Sequence, residues 1–165
     1  MRKSRGHSPS IEGAFLRQEN EMVKIREMLE SDVGDVARIE EETFSMPWSE
    51  NAFREMISRD NMSYLVADLG GQIIGGAGIR NILGDAEITN VVIKEAYRRR
   101  GYGKLLLKAL LEKGLQIGAN AFTLEVRSSN LPAIMLYKRL GFTEEGTRKN
   151  FYERPQEDAL IMWKR

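Results

Sequence analysis

The stretch Glu87 to Leu107, EITNVVIKEAYRRRGYGKLLL, constrains this chain more than any other. An apolar strand (Ile88, Val91, Val92, Ile93) must pass through a turn holding Arg98, Arg99 and Arg100. Gly101, Tyr102 and Gly103 follow, and a leucine-rich helix opens behind them. Glycine lets backbone N–H groups converge on one point, and the opening helix adds the positive end of its dipole. Arginines at the same bend can fork onto phosphate oxygens. The stretch therefore predicts a strand–turn–helix unit with a phosphate site at its bend. It has neither the GxxxxGK spacing of a Walker loop nor the full dinucleotide fingerprint. On the residues alone, a solvated charge run, a nucleic-acid patch and a plain glycine-capped junction stay open beside the phosphate site.

Composition narrows the chemistry. The 165 residues, 42% hydrophobic and 30% charged, read as one soluble domain behind a polar tail. A formal net charge of +1 gives no global field for nucleic acid, and no apolar run approaches a bilayer span. There is no cysteine, and the only histidine is His7. Disulfides, thiolate nucleophiles and cysteine-held metals are excluded, and a histidine-based triad or zinc site is not expected. Proton transfer is left to carboxylates, tyrosines, lysines or water. The expectation is a cytoplasmic, metal-independent protein.

Residues 1–21 begin basic and turn polar without an apolar core, which predicts a flexible tail rather than a secretory signal. Residues 22–165 form the expected domain. Val23 and Ile25 start a strand, and Ser31 or Asp32 can cap a helix reaching about Thr43. Pro47 interrupts, and Ser49 can cap a second helix to about Ser58. Two strands meet at the hairpin Gly70-Gly71, and another starts at Gly84-Asp85 and enters the arginine turn. The third helix runs from Gly101 to about Gly118, with Leu106, Leu107, Leu110 and Leu111 facing inward. Ala121 to Arg127 alternates as a strand, with Phe122, Leu124 and Val126 on one face and Thr123 and Glu125 on the other. Asn130 can cap a fourth helix whose apolar stripe is Ala133, Leu136, Tyr137 and Leu140, and Gly141 ends it. Phe142–Asn150 and Asp158–Trp163 are the last strands. The order β-α-α-β-β-β-α-β-α-β-β predicts an α/β domain with a mixed, mostly antiparallel sheet flanked by helices.

Singly, Glu125 reads as an edge-strand glutamate, Tyr137 as core, Asn130 as a cap and Trp48 as a staple. Together with the arginine turn they form a larger pattern. The run TLEVRSSNLPAIMLYKRLGF at 123–142, following VVIKEAYRRRGYG at 91–103, resembles the GNAT acetyltransferases. Met46-Pro47-Trp48-Ser49 and Glu157-Asp158-Ala159 make it most similar to the RimI-type ribosomal-protein alanine N-acetyltransferases. The likeness spans about Met22 to Trp163.

The resemblance implies the GNAT fold and an acetyl-CoA-dependent N-acetyltransferase needing no metal. Backbone of Val91, Val92 and Ile93 would bond the pantetheine arm. The pyrophosphate would rest on the turn formed by Arg98, Arg99, Arg100, Gly101, Tyr102, Gly103 and Lys104, and Asn130 would touch the pantetheine. Glu125 matches the general base and Tyr137 the general acid. Met46, Trp48 and Tyr152 would wall the acceptor slot, where Phe151 replaces the first of two tyrosines common in such sequences. Glu157 and Asp158 could attract an ammonium or serve as ordinary strand-end acids. The implied acceptor is a protein N-terminus, foremost the alanine of a small-subunit ribosomal protein. Another N-terminus or a small-molecule amine is the alternative, and direct nucleic-acid or membrane binding is not expected.

Overall fold

The computed structural model describes residues 23–165; the expected tail, residues 1–21, lies outside them. In chain order the elements are β1 (Val23–Glu27), α1 (Val33–Thr43), α2 (Glu50–Ser58), β2 (Met62–Leu69), β3 (Gln72–Ile82) and β4 (Asp85–Ile93). They continue with α3 (Tyr102–Gln116), β5 (Ala121–Arg127), α4 (Leu131–Arg139), β6 (Thr143–Tyr152) and β7 (Glu157–Lys164). The expected order of strands and helices is the observed one. The strands form one sheet in the order β1-β2-β3-β4-β5-β7-β6. Every neighbouring pair is antiparallel except β4 with β5, which run parallel because α3 crosses over between them.

Helices cover both faces, so β2 and β3 are buried along most of their length on both sides, whereas β5 alternates. Tyr64 and Val66 of β2 pack with Val33, Val36 and Ile39 of α1 and Phe53 and Met56 of α2. Leu65 joins Leu106, Leu107 and Leu110 of α3. Those three leucines are fully buried, so the expected inward face of α3 is the real one. At about 1.5–3 kcal/mol per buried leucine, this face anchors the helix behind the arginine turn. On α4 the stripe is displaced: Ile134 and Tyr137 are its buried residues, and Ala133, Leu136 and Leu140 are partly covered.

Local caps met two fates. The Ser49 hydroxyl accepts the Ala52 N–H at 3.2 Å and starts α2 as expected. Asp32 does not cap α1 with its side chain. Its carboxylate instead accepts the Leu29 N–H (2.8 Å) and both terminal nitrogens of Arg26 (2.8 and 3.1 Å). A charged fork outbids a neutral amide for a carboxylate, and the pairing holds Asp32 below its ordinary pKa.

One irregularity creates the site. Gly78 opposes Asn90 and Ile79 opposes Ile88, so Thr89 is an extra residue bulging from β4. A bulge bends its strand, and β4 pairs with β5 only over Asp85–Glu87 against Ala121–Thr123. Beyond that the two strands separate. Gly78 permits the bulge, because a Cβ there would lie 2.5 Å from Thr89 Oγ1.

Candidate active site

The separating strands open a cleft of about 600 Å³. Ile88 to Val91 form one wall, Leu124 to Arg127 the other, and the loops at 43–48 and 151–155 close its ends. Glu125, Tyr137, Asn130, Met46, Trp48, Tyr152 and Val91, all picked out from sequence, line this single space.

Outside the lining of this cleft, β4 passes through a short 3-10 turn, Glu95–Tyr97, into the arginines. Arg99 (φ 66°) and Gly101 (φ 85°) adopt left-handed backbone and turn the chain into α3. No side chain caps α3, and its first turn holds no acid. The N–H groups of Tyr102, Gly103 and Lys104 are thus the free donors of a helix start. The arginines differ from one another. Arg98 folds back and donates from Nε to the Ile93 carbonyl at 2.8 Å, bracing the turn, while the Arg100 guanidinium lies 5.6 Å from the Tyr97 ring centre. The side chains of Val92 and Tyr102 are buried in the core, so those residues can offer only backbone.

Within the cleft, Glu125 projects from β5 opposite the Phe122–Leu124–Val126 core face, with its side chain 19% exposed. Arg148 of β6 reaches across β7 and holds Glu125 Oε2 at 2.5 Å. Burial pushes the Glu125 carboxyl up, the Arg148 charge pulls it back, and Glu87 pushes it up again; the net direction is upward. Such a carboxylate suits a base working near neutral pH. Tyr137, 8% exposed, packs edge-on to Phe142 at 5.9 Å. Burial pushes its hydroxyl up to about 12, so it stays protonated and keeps a hydrogen to donate at physiological pH.

The Asn130 carboxamide oxygen accepts the Ala133 N–H at 3.4 Å, so the expected cap exists on a residue that also faces the cleft. Trp48 both packs on Phe53 (5.5 Å between ring centres) and lines the cleft, while Met46 is exposed beside it. The Tyr152 ring sits against Phe151 and beneath the Arg127 guanidinium, 4.5 Å from its centre, with its own hydroxyl also raised to about 12 by burial. Glu157 and Asp158 are engaged internally. Glu157 accepts the Ser129 N–H (2.7 Å), the Ser128 hydroxyl (3.2 Å) and Arg127 (3.2 Å). Asp158 accepts the Asn150 N–H at 2.9 Å and faces Lys149. They are strand-end braces that fix the loops around the cleft.

Three residues of the site escape a reading of the sequence. Arg148 carries no local signal, since its partner is across two strands. Asn90 is hidden by the bulge. Glu40 did leave a trace: it falls four residues after Val36 and seven after Val33, on the buried stripe of α1.

Comparisons with known proteins agree with this geometry. The model of the acetyltransferase (GNAT) family matches residues 33–142. A Bacillus subtilis (strain 168) protein, provisionally described as a ribosomal protein bS18-alanine N-acetyltransferase, is 39% identical over 140 residues. That match covers 84% of this chain and 93% of the relative. The ribosomal protein bS18-alanine N-acetyltransferase of Escherichia coli (strain K12) is 32% identical over 134 residues, 80% of this chain and 90% of that protein. The crystal structure of the Escherichia coli ribosomal-protein-S18-alanine N-acetyltransferase superposes with a TM-score of 0.79 at 31% identity, covering 87% of this chain and 93% of that one. A strand pair splayed by a bulge, a glycine-arginine turn at a helix start and two such relatives have one reading: this chain belongs to the GNAT acetyltransferase family and is an acetyl-CoA-dependent N-acetyltransferase.

Proposed function

We propose that the enzyme acetylates the α-amino group of a protein N-terminus, foremost the alanine of a small-subunit ribosomal protein, in the cytoplasm. The observation that carries this is the shared cleft: a partly desolvated carboxylate, Glu125, and a buried hydroxyl, Tyr137, face one space beside the open edge of β4. The similarity to bS18-alanine N-acetyltransferases supports the choice of acceptor.

In this reading acetyl-CoA is the donor substrate. Backbone groups of Val91, Val92 and Ile93 bond its pantetheine amides, and the N–H groups of residues 99–104 receive its pyrophosphate, with Arg99, Arg100 and Lys104 adding charge. Asn130 contributes its amide nitrogen. An α-amine has a pKa of roughly 7.7–8.0, so much of it is neutral near pH 7–8, unlike a lysine at about 10.4. The neutral amine attacks the thioester carbonyl, the new C–N bond forms, and the C–S bond breaks as the tetrahedral centre collapses. Glu125, directly or through a water, accepts the proton that the nitrogen sheds.

The sulfur leaves toward Tyr137. A hydroxyl near 12 facing a thiol of about 8.5 makes complete proton transfer uphill by about 5 kcal/mol. Tyr137 is therefore best read as a hydrogen-bond donor to the departing thiolate, which takes its final proton from solvent. Met46, Trp48 and Tyr152 wall the acceptor side.

The test is acetyl-CoA turnover with three acceptors: an alanine-starting ribosomal peptide, the same peptide N-blocked but carrying an internal lysine, and spermidine. The reading expects turnover of the free-amine peptide alone. Turnover of spermidine alone would move the enzyme to small amines.

A further inference from the structure

Glu40 is among the few charged residues fully buried in the described part of the chain, at 2% exposure. It sits near the end of α1, on the same stripe as Val33 and Val36, and its carboxylate borders the cleft. Burying a carboxylate is costly unless it is paired, and a cation normally supplies the pairing. Here every partner is neutral. The Trp48 backbone N–H donates to Oε1 at 3.4 Å, and the Asn90 amide donates to Oε1 and Oε2 at 3.4 and 3.2 Å. Thr89 in turn donates to the Asn90 carboxamide oxygen at 2.8 Å, so that oxygen is taken and the nitrogen is aimed at Glu40. The buried Tyr64 hydroxyl, with no partner of its own, feels the Glu40 charge.

These contacts link two parts that are otherwise separate. Trp48 belongs to the loop between α1 and α2, and Asn90 stands beside the β4 bulge that opens the cleft. We propose that Glu40 is a positioning residue for the acceptor: its carboxylate straps the Met46–Trp48 wall to the Thr89–Asn90 bulge and fixes the width of the slot the amine enters. The requirement for two accepting oxygens follows from the partners, which are donors only. A glutamine would turn its own amide hydrogens toward one of them, and a protonated carboxyl would do the same. None of these bonds involves the 98–104 turn or the backbone of Val91–Ile93 proposed to hold acetyl-CoA, so the strap acts chiefly on the acceptor. This inference rests on the acceptor side being the Met46–Trp48 side.

The experiment measures KM for acceptor and for acetyl-CoA, with kcat and thermal unfolding, in wild type, Glu40→Gln, Glu40→Ala, Asn90→Ala and the Glu40→Ala/Asn90→Ala pair. Glu40→Gln is expected to raise the acceptor KM three- to tenfold and Glu40→Ala more than tenfold, with the acetyl-CoA KM within twofold of wild type. The double variant is expected to fall short of the product of the single effects, because both remove one strap. Unchanged KM values, equal rises for both substrates, or loss of folding in both Glu40 variants would each overturn the proposal. If wild type turns over a different amine, the functional reading fails, and the same KM comparison with that amine still decides the role of Glu40.

Discussion

The β4–α3 turn and the cleft are the two ends of the proposed site, and they are built from different materials. The proposed donor end, β4 into α3, is made of backbone: left-handed Arg99 and Gly101, an uncapped helix start, and an arginine spent on a main-chain carbonyl. The proposed catalytic and acceptor end is made of side chains held by one another across strands: Glu125 by Arg148, Arg127 by Glu157, Asp158 by Lys149, Trp48 and Asn90 by Glu40. Backbone geometry is written locally and, under the proposed function, suits a donor that never varies. Side-chain networks can be retuned one residue at a time, which suits an end that must fit one acceptor and move one proton.

That contrast predicts effects that separate by end. The largest is Glu125→Gln, which keeps shape and removes the proposed base: kcat/KM should fall by about 10²–10⁴, measured with a free-amine peptide. Tyr137→Phe comes next. Losing one hydrogen bond to the departing sulfur should lower kcat by about tenfold to a hundredfold, with both KM values within roughly twofold. A large rise in the acetyl-CoA KM would instead make Tyr137 a donor-binding residue.

Gly101→Ala probes the other end. A φ of 85° costs an L-residue about 1–2 kcal/mol, so the turn should relax and acetyl-CoA should bind about tenfold more weakly, with kcat little changed. The smallest effect belongs to Arg148→Met. Arg148 stabilises the charged form of Glu125, so removing it moves that carboxyl further up. Activity should drop a few-fold near pH 6 and recover by about pH 8.5. Comparing both enzymes on the same peptide cancels the titration of the amine itself. An acidic limb that stays put would detach Arg148 from the base.

The same contrast explains what was legible in the chain. The chain order of strands and helices, the Ser49 and Asn130 caps and the arginine turn depend on residues close in sequence, so spacing carries them. Asp32 misled because its partner Arg26 comes from the preceding strand and outcompetes the helix start. The stripe of α4 shifted toward Ile134 because packing under β5 decided it, not the helix alone. Arg148 was invisible, since only sheet order brings β6 across β7 to β5. Glu40 could have been suspected from its spacing, but a glutamate on an apolar stripe says nothing about Trp48 or Asn90 until the bulge is seen.

Division of labour between the two ends is the central claim, and the most direct test is calorimetric titration of acetyl-CoA into Glu125→Gln beside wild type. The account predicts dissociation constants within twofold of each other in a protein whose turnover has collapsed. Donor binding weakened tenfold or more in Glu125→Gln, as expected only of the turn variant, would contradict it.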